Sequence, residues 1–337
     1  MNSLKDSYQR AIDYLRVSIT DRCNLRCIYC MPSEGIIPLE HKEILRYEEI
    51  IRVINIAVKT GVRRVRITGG EPLVRKNITY LISALREMEG IKDLSLTTNG
   101  VLLSSYADKL VEAGLKRINI SLDSLRPDRF KEITRGGDSS LVWEGIVAAE
   151  KAGLTPVKIN MVPIRGLNSD EIEDFAKVTL RLPYQIRFIE FMPFGTEGLW
   201  SPERFIPLEE IKAIVETVAP LIPVQMKRAG PARYFRFDGA AGVIGFISPI
   251  SNHFCGECNR LRLTADGKLR PCLFSETEID LKPALRGGAP DNEIERLIRL
   301  SIEVKPQGHD IGTSNPELWA LIKNRECAGR PMSRIGG

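Results

Sequence analysis

Six of the seven cysteines fall into two tight groups, and thiolates are the side chains best suited to soft or iron-containing metal centres. Cys23, Cys27 and Cys30 form C-x3-C-x2-C. Three thiolates this close together can hold three corners of a 4Fe-4S cube and leave the fourth iron without a protein ligand, free to take a small molecule. A structural zinc or an electron-transfer cluster is the alternative, and each normally takes four protein ligands. Cys255, Cys258 and Cys272 form C-x2-C-x13-C, which with His253 as a fourth ligand would make a zinc knuckle. Cys327 stands apart and reads as a packed thiol. His41 and His309 are isolated and carry no readable role.

These ligands need a scaffold, and short β-branched runs alternate with longer helical patterns through the first part of the chain. The runs are Leu15 to Ile19, Val65 to Ile67, Leu94 to Thr97, Ile118 to Ser121, Val157 to Met161 and Ile186 to Glu190. Helical patterns lie between them. One runs from Ile44 to Val58 and stops near Gly61, and others end at Gly114 and Gly153. Asn168 with Glu171 three residues on reads as a capping box opening a helix at Ile172. This order predicts an α/β chain: a partial (β/α)6 TIM-type barrel over residues 1–195, closed by a smaller subdomain over 196–337. That subdomain is richer in Pro and Gly, has one further helical pattern from Leu208 to Val218, and carries the last cysteines. The first cysteine group then follows the first strand, on the face where barrel loops carry chemistry.

Composition narrows the functions further. With 43% hydrophobic and 27% charged residues, the 337-residue chain is expected to be globular. No apolar run approaches the roughly 20 residues of a membrane helix, and the first residues lack the apolar segment of a signal peptide. A cytoplasmic location is expected, with no membrane partner, and reducing conditions there disfavour disulfides. The net charge of +5 favours an anionic ligand without implying nucleic acid. Arg16, Arg66 and Lys158 sit on strands one, two and five, where cations either face solvent or meet an anion. With Thr97 they make a plausible triphosphate clamp, Arg acting as a fork and Lys as a point charge. Thr68-Gly69-Gly70-Glu71-Pro72 reads on its own as a strand-to-helix turn.

The spacing of Cys23, Cys27 and Cys30, the aromatic Tyr29 and the Gly-Gly-Glu turn together resemble the radical S-adenosylmethionine (SAM) superfamily. The second cysteine group, Arg260-Leu261-Arg262 and the terminal Gly336-Gly337 resemble, within it, the GTP 3′,8-cyclases of molybdenum cofactor biosynthesis. The resemblance runs from about Tyr14 to Gly337. It implies two [4Fe-4S] clusters, one binding SAM on its open iron and the other binding the guanine of GTP. It implies SAM contacts at Tyr29, Gly70, Ser121 and Met192, and GTP contacts at Arg16, Arg66, Thr97, Lys158, Arg260, Leu261 and Arg262. Arg334, Gly336 and Gly337 would enter the active site and assist the step after SAM binding. The implied reaction is closure of a bond between C3′ and C8 of GTP, started by a 5′-deoxyadenosyl radical. The implied partners are an external one-electron reductant of flavodoxin or ferredoxin type, a downstream cyclic pyranopterin monophosphate synthase, and a second copy in a homodimer. The rivals are another two-cluster radical SAM enzyme, such as a peptide modifier, and a zinc or electron-transfer protein without chemistry of its own. Peptide modifiers usually carry more C-terminal cysteines than the three grouped here.

Overall fold

The computed structural model describes residues 4–194, 199–226, 230–309 and 332–336. The six expected strands form: β1 (Tyr14–Ser18), β2 (Arg64–Thr68), β3 (Asp93–Thr98), β4 (Arg117–Ser121), β5 (Lys158–Met161) and β6 (Gln185–Ile189). They pair in parallel in chain order, which the intervening helices permit. These helices are α1 (Tyr47–Lys59), α2 (Ile78–Glu87), α3 (Ala107–Glu112), α4 (Pro127–Thr134), α5 (Ser139–Lys151) and α6 (Ile172–Arg181). In α1 the residues Ile50, Val53, Ile54 and Ala57 recur at helical spacing and are buried in the core. Glu49 accepts the Arg46 backbone N–H at 2.7 Å and so satisfies a donor at the helix start.

The C-terminal part contributes to the same sheet. Its strands are β7 (Ile222–Val224), β8 (Arg233–Arg236), β9 (Val243–Ile247), β10 (Arg260–Leu263), β11 (Lys268–Arg270) and β12 (Ile279–Asp280). The order across the sheet is β12-β11-β10-β1-β2-β3-β4-β5-β6-β9-β8-β7. Both β10 on β1 and β9 on β6 are parallel pairs, so the six-stranded barrel segment is extended to eight parallel strands. Antiparallel pairs then finish each side.

Two local readings differ from the sequence expectation. Asn168 is not a helix cap: its side chain accepts the Ile164 N–H and donates to the carbonyls of Asp123 and Val162. Glu171 likewise accepts from Ser124 Oγ, the Leu125 N–H and Arg129. Both therefore tie the turns after β4 and β5 together, a longer-range demand that outweighs capping. The C-terminal part also has more helix than its one pattern announces: besides α7 (Leu208–Glu216) it holds α8 (Lys282–Arg286), α9 (Asp291–Glu303) and the short α10 (Met332–Ile335). In α9 the buried Ile294, Ile298 and Ile302, with the half-buried Leu297, supply the apolar stripe, and the helix packs on α1.

Candidate active site

Alternation along the strands decides what faces the interior of the sheet. In β1 the side chains of Leu15 and Val17 enter the core, which turns Tyr14 and Arg16 to the opposite face. Strand register then places Arg262 and Arg66 directly across from Arg16 on its two sides. Further along, Thr97 faces Asn119, Asn119 faces Lys158, and Asn160 faces Arg187. One cavity is lined by Arg16, Arg66, Thr97, Lys158, Arg187, Arg260 and Arg262, and by all six grouped cysteines. Leu261 is buried in the core between the two arginines, so whatever it offers a ligand comes from its main chain.

The basic layer is electrostatically costly as it stands. Burial pulls the Lys158 ammonium down to about 7, helped by Arg187, Arg117 and Arg66. Burial also lowers Arg16, which is crowded by Arg262 and Arg66. Arg187 and Arg262 are each pulled down to about 10, again mainly by burial. Among the described residues Arg66, Lys158, Arg187, Arg260 and Arg262 form no ion pair with a carboxylate. Buried like charges of this kind are stabilised by an anion of several charges. Thr97 Oγ1, Asn160 Oδ1 and Arg187 Nε are buried there without hydrogen-bond partners among the described residues, which suits a polar ligand.

The first cysteine group is wrapped against the end of α4: the Arg26 and Ile28 N–H groups donate to the carbonyls of Thr134 and Ile133. Cys30 and Met31 N–H both donate to the Cys27 carbonyl, which curls the three thiols toward the cavity. Burial raises Cys30 to about 12, with Cys23 and Asp123 adding repulsion, and raises Cys27 through the same causes. Buried thiols that oppose one another's ionisation suit a multiply charged metal group, which deprotonates them on binding. Tyr29 donates to Asp123 Oδ2 at 2.5 Å, while Asp123 Oδ1 accepts the Val162 N–H. Gly70 donates to the Thr20 carbonyl at 2.7 Å, and a Cβ there would collide with the Arg22 carbonyl. The space left by its missing side chain is thus occupied by the cysteine loop itself. Glu71, raised to about 7 by burial, accepts from Leu73 N–H, Thr98 Oγ1 and Asn99 N–H; Asn99 Nδ2 in turn donates to Cys23 Sγ at 3.8 Å. Ser121 and Met192 line the same cavity from the ends of β4 and β6.

The second group starts on a short turn, Cys255–Glu257, and closes with Cys272 just after β11. Arg10 donates to the Cys255 carbonyl at 2.7 Å. His253 is exposed and lies edge-on to His309, whose ring also meets Phe274. Among the described residues no three His, Cys, Asp or Glu side chains close on a single point as the ligands of one ion do. Thiolates that each meet a different iron of a cube need no such common point.

Met332 and Ser333 line the cavity, and Gly336 is buried with its carbonyl accepting from Arg262 Nη1 at 2.5 Å. Its φ is +84°, and a Cβ would collide with Thr68 at the end of β2. Arg334 donates to the Ile37 carbonyl. Gly337 and Cys327 lie outside the described residues. Arg187, Arg117 and His309 are cavity residues that the sequence reading missed. The interior parity of β6 was the available signal for Arg187.

Fold and cysteine loop define a radical SAM protein, and the Radical SAM superfamily profile matches residues 17–179. The Molybdenum Cofactor Synthesis C profile matches residues 184–311. A GTP 3′,8-cyclase of Thermodesulfovibrio yellowstonii is 54% identical over 99% of this chain and 100% of its own length. One from Pelotomaculum thermopropionicum is 52% identical with the same coverage. The chain belongs to the GTP 3′,8-cyclase family. Among solved structures, Streptococcus suis SuiB bound to S-adenosylmethionine superposes with a TM-score of 0.57 at 16% identity, over 94% of this chain and 73% of SuiB. The anSMEcpe structure with bound AdoMet gives 0.51 at 16% identity, over 86% of this chain and 81% of its own. At that identity the likeness concerns the fold. Among the described residues no helix is long and apolar enough to cross a membrane.

Proposed function

We propose that this chain converts GTP to (8S)-3′,8-cyclo-7,8-dihydroguanosine 5′-triphosphate, the first step of molybdenum cofactor biosynthesis. One observation carries the reading: two cysteine triplets and a layer of buried and half-buried cations line the same cavity. Cys23, Cys27 and Cys30 hold one [4Fe-4S] cluster and Cys255, Cys258 and Cys272 the other. When bound, the first cluster and SAM supply a 5′-deoxyadenosyl radical able to take hydrogen from a ribose carbon.

The chain's own residues bind and orient. Arg16, Arg66, Thr97 and Lys158, joined by Arg187, take the triphosphate, where multiple negative charges relieve the repulsion among the cations. Arg260, the Leu261 main chain and Arg262 hold the nucleoside toward the second triplet. Tyr29, Gly70, Ser121 and Met192 position SAM, with Tyr29 fixed by Asp123. Gly336 caps Arg262 from the tail side, and with Arg334 and Gly337 acts after SAM is in place. Residues 1–195 handle the radical and 196–337 the substrate base. The wider setting includes a flavodoxin- or ferredoxin-type reductant, a cyclic pyranopterin monophosphate synthase downstream, and a homodimer.

The test is anaerobic reconstitution with iron and sulfide, followed by SAM, dithionite and each nucleoside triphosphate in turn. The expected outcome is 5′-deoxyadenosine formation that depends on GTP. Equal formation with every nucleotide would exclude GTP as the substrate.

A further inference from the structure

Two lysines in the described structure are buried, and they differ in what their charge meets. Lys158 faces the cavity. Lys305 follows the end of α9, is 3% exposed, and forms no ion pair with a carboxylate among the described residues. A buried ammonium without an anion is strongly unfavourable. Its Nζ donates to the carbonyl of Arg260 at 2.9 Å and to that of Pro271 at 2.5 Å. Those residues lie two positions after Cys258 and one before Cys272, so a single side chain straps together both approaches to the second triplet. Lys305 lines the cavity together with Cys258 and Cys272.

The segment carrying it is fixed from the other side. Arg10 donates to the carbonyls of Pro306 at 2.6 Å and Gln307 at 2.7 Å, as well as to that of Cys255, and is itself paired with Asp6 at 2.6 Å. The ammonium is therefore held beside the second cysteine group in a preset geometry.

The structure assigns to Lys305 the role of a positioning residue that lends positive charge to the second cysteine group and thereby sets the reduction potential of the cluster it holds. This rests on the proposed cluster at Cys255, Cys258 and Cys272. A positive charge fixed beside a cluster stabilises its reduced, more negative form, and so raises the potential. Removing the charge lowers it.

The experiment uses the full chain with Cys23, Cys27 and Cys30 changed to Ser, so that only the second group takes up iron. It is reconstituted anaerobically, iron and sulfide are counted, and the cluster is titrated potentiometrically with detection by electron paramagnetic resonance. Lys305→Gln keeps a donor for the two carbonyls without the charge, and Lys305→Arg keeps the charge. The expected result is full iron in both, a potential in the Gln variant lowered enough to shift the one-electron equilibrium at least about tenfold, roughly 59 mV, and a potential near the parent's in the Arg variant. A parent potential in a fully loaded Gln variant overturns the inference. Loss of iron from both variants overturns it too, because Lys305 would then be a packing residue. If the triple-Ser parent itself takes up no iron-sulfur cluster, the proposed function has failed at its second site, an outcome distinguishable from either of these.

Discussion

The two cysteine groups have the same number of thiols and open onto the same cavity, yet sit in opposite electrostatic surroundings. Around Cys23, Cys27 and Cys30 lie the buried carboxyls of Asp123 and Glu71 and the neutral amide of Asn99. Around Cys255, Cys258 and Cys272 lie Arg10, Arg260 and Lys305. Burial raises the thiols of the first group and Cys255 of the second, whereas Cys258 is drawn down by Lys305 and Arg260 despite burial. Identical ligand chemistry is thus given different character by residues outside the cysteine triplets, the first site acidic and the second cationic. That division fits a first site that handles a sulfonium cation and a second that works beside an anionic nucleotide.

The sharpest break in the comparison comes from removing one ligand at a time. Cys27→Ser should abolish SAM cleavage, while Cys258→Ser should keep some uncoupled cleavage and lose cyclised product. Chromatography of 5′-deoxyadenosine and product from the same reactions reads both, and parent-level cyclisation by Cys258→Ser would remove the distinction. Next in size, Arg66→Ala or Lys158→Ala should weaken GTP binding by roughly 1.5 to 3 kcal/mol, the usual worth of a charge-assisted hydrogen bond. Guanosine should be much less affected. Calorimetry under nitrogen with both ligands tests this, and equal losses would place these cations away from the phosphates.

A pH series sharpens the same point. Lys158 is held down to about 7 in the free protein, and phosphates would raise it toward its ordinary value. Binding then takes up a proton above about pH 7, so GTP affinity should be level below that pH and fall as pH rises beyond it. Lys158→Met should flatten this slope. The smallest effect concerns the tail: Gly336→Ala should reduce product in a single turnover, because its φ of +84° and the crowding at Thr68 both oppose a side chain. Iron content and melting temperature should stay at parent values, since the change affects only docking of a chain end.

Much of this was legible in the sequence because its signals are local. The six strands appear within a residue or so of their β-branched runs, and α1, α3 and α5 end just before the expected glycines. The first cysteine spacing with Tyr29 and the Gly-Gly-Glu turn carries the family resemblance without a fold, whereas the second spacing alone reads as a zinc knuckle and takes its meaning from that resemblance. What was not legible depends on partners far away in sequence. Asn168 and Glu171 match a capping pattern, but their side chains are engaged by the turn after β4, more than 40 residues earlier. Arg187 sits in an otherwise apolar strand, where parity gives the face but register beside β5 shows that it joins the basic layer. Lys305 looks like any lysine after a helix until the carbonyls of Arg260 and Pro271 are found above it.

The way the C-terminal strands attach has a consequence for how the protein is made. β9 completes one side of the parallel sheet on β6, and β10 completes the other on β1, although they are close together in sequence. A ribosome releasing the first 195 residues would expose two unpaired, apolar strand edges, the hydrogen-bonding template on which foreign strands assemble. Pairing β1 with β10 must also wait for some 240 further residues, a long loop closure that slows completion. A fragment ending near residue 195 should therefore accumulate as aggregates, and restoring only β7 to β9 would shield one edge and leave β1 open.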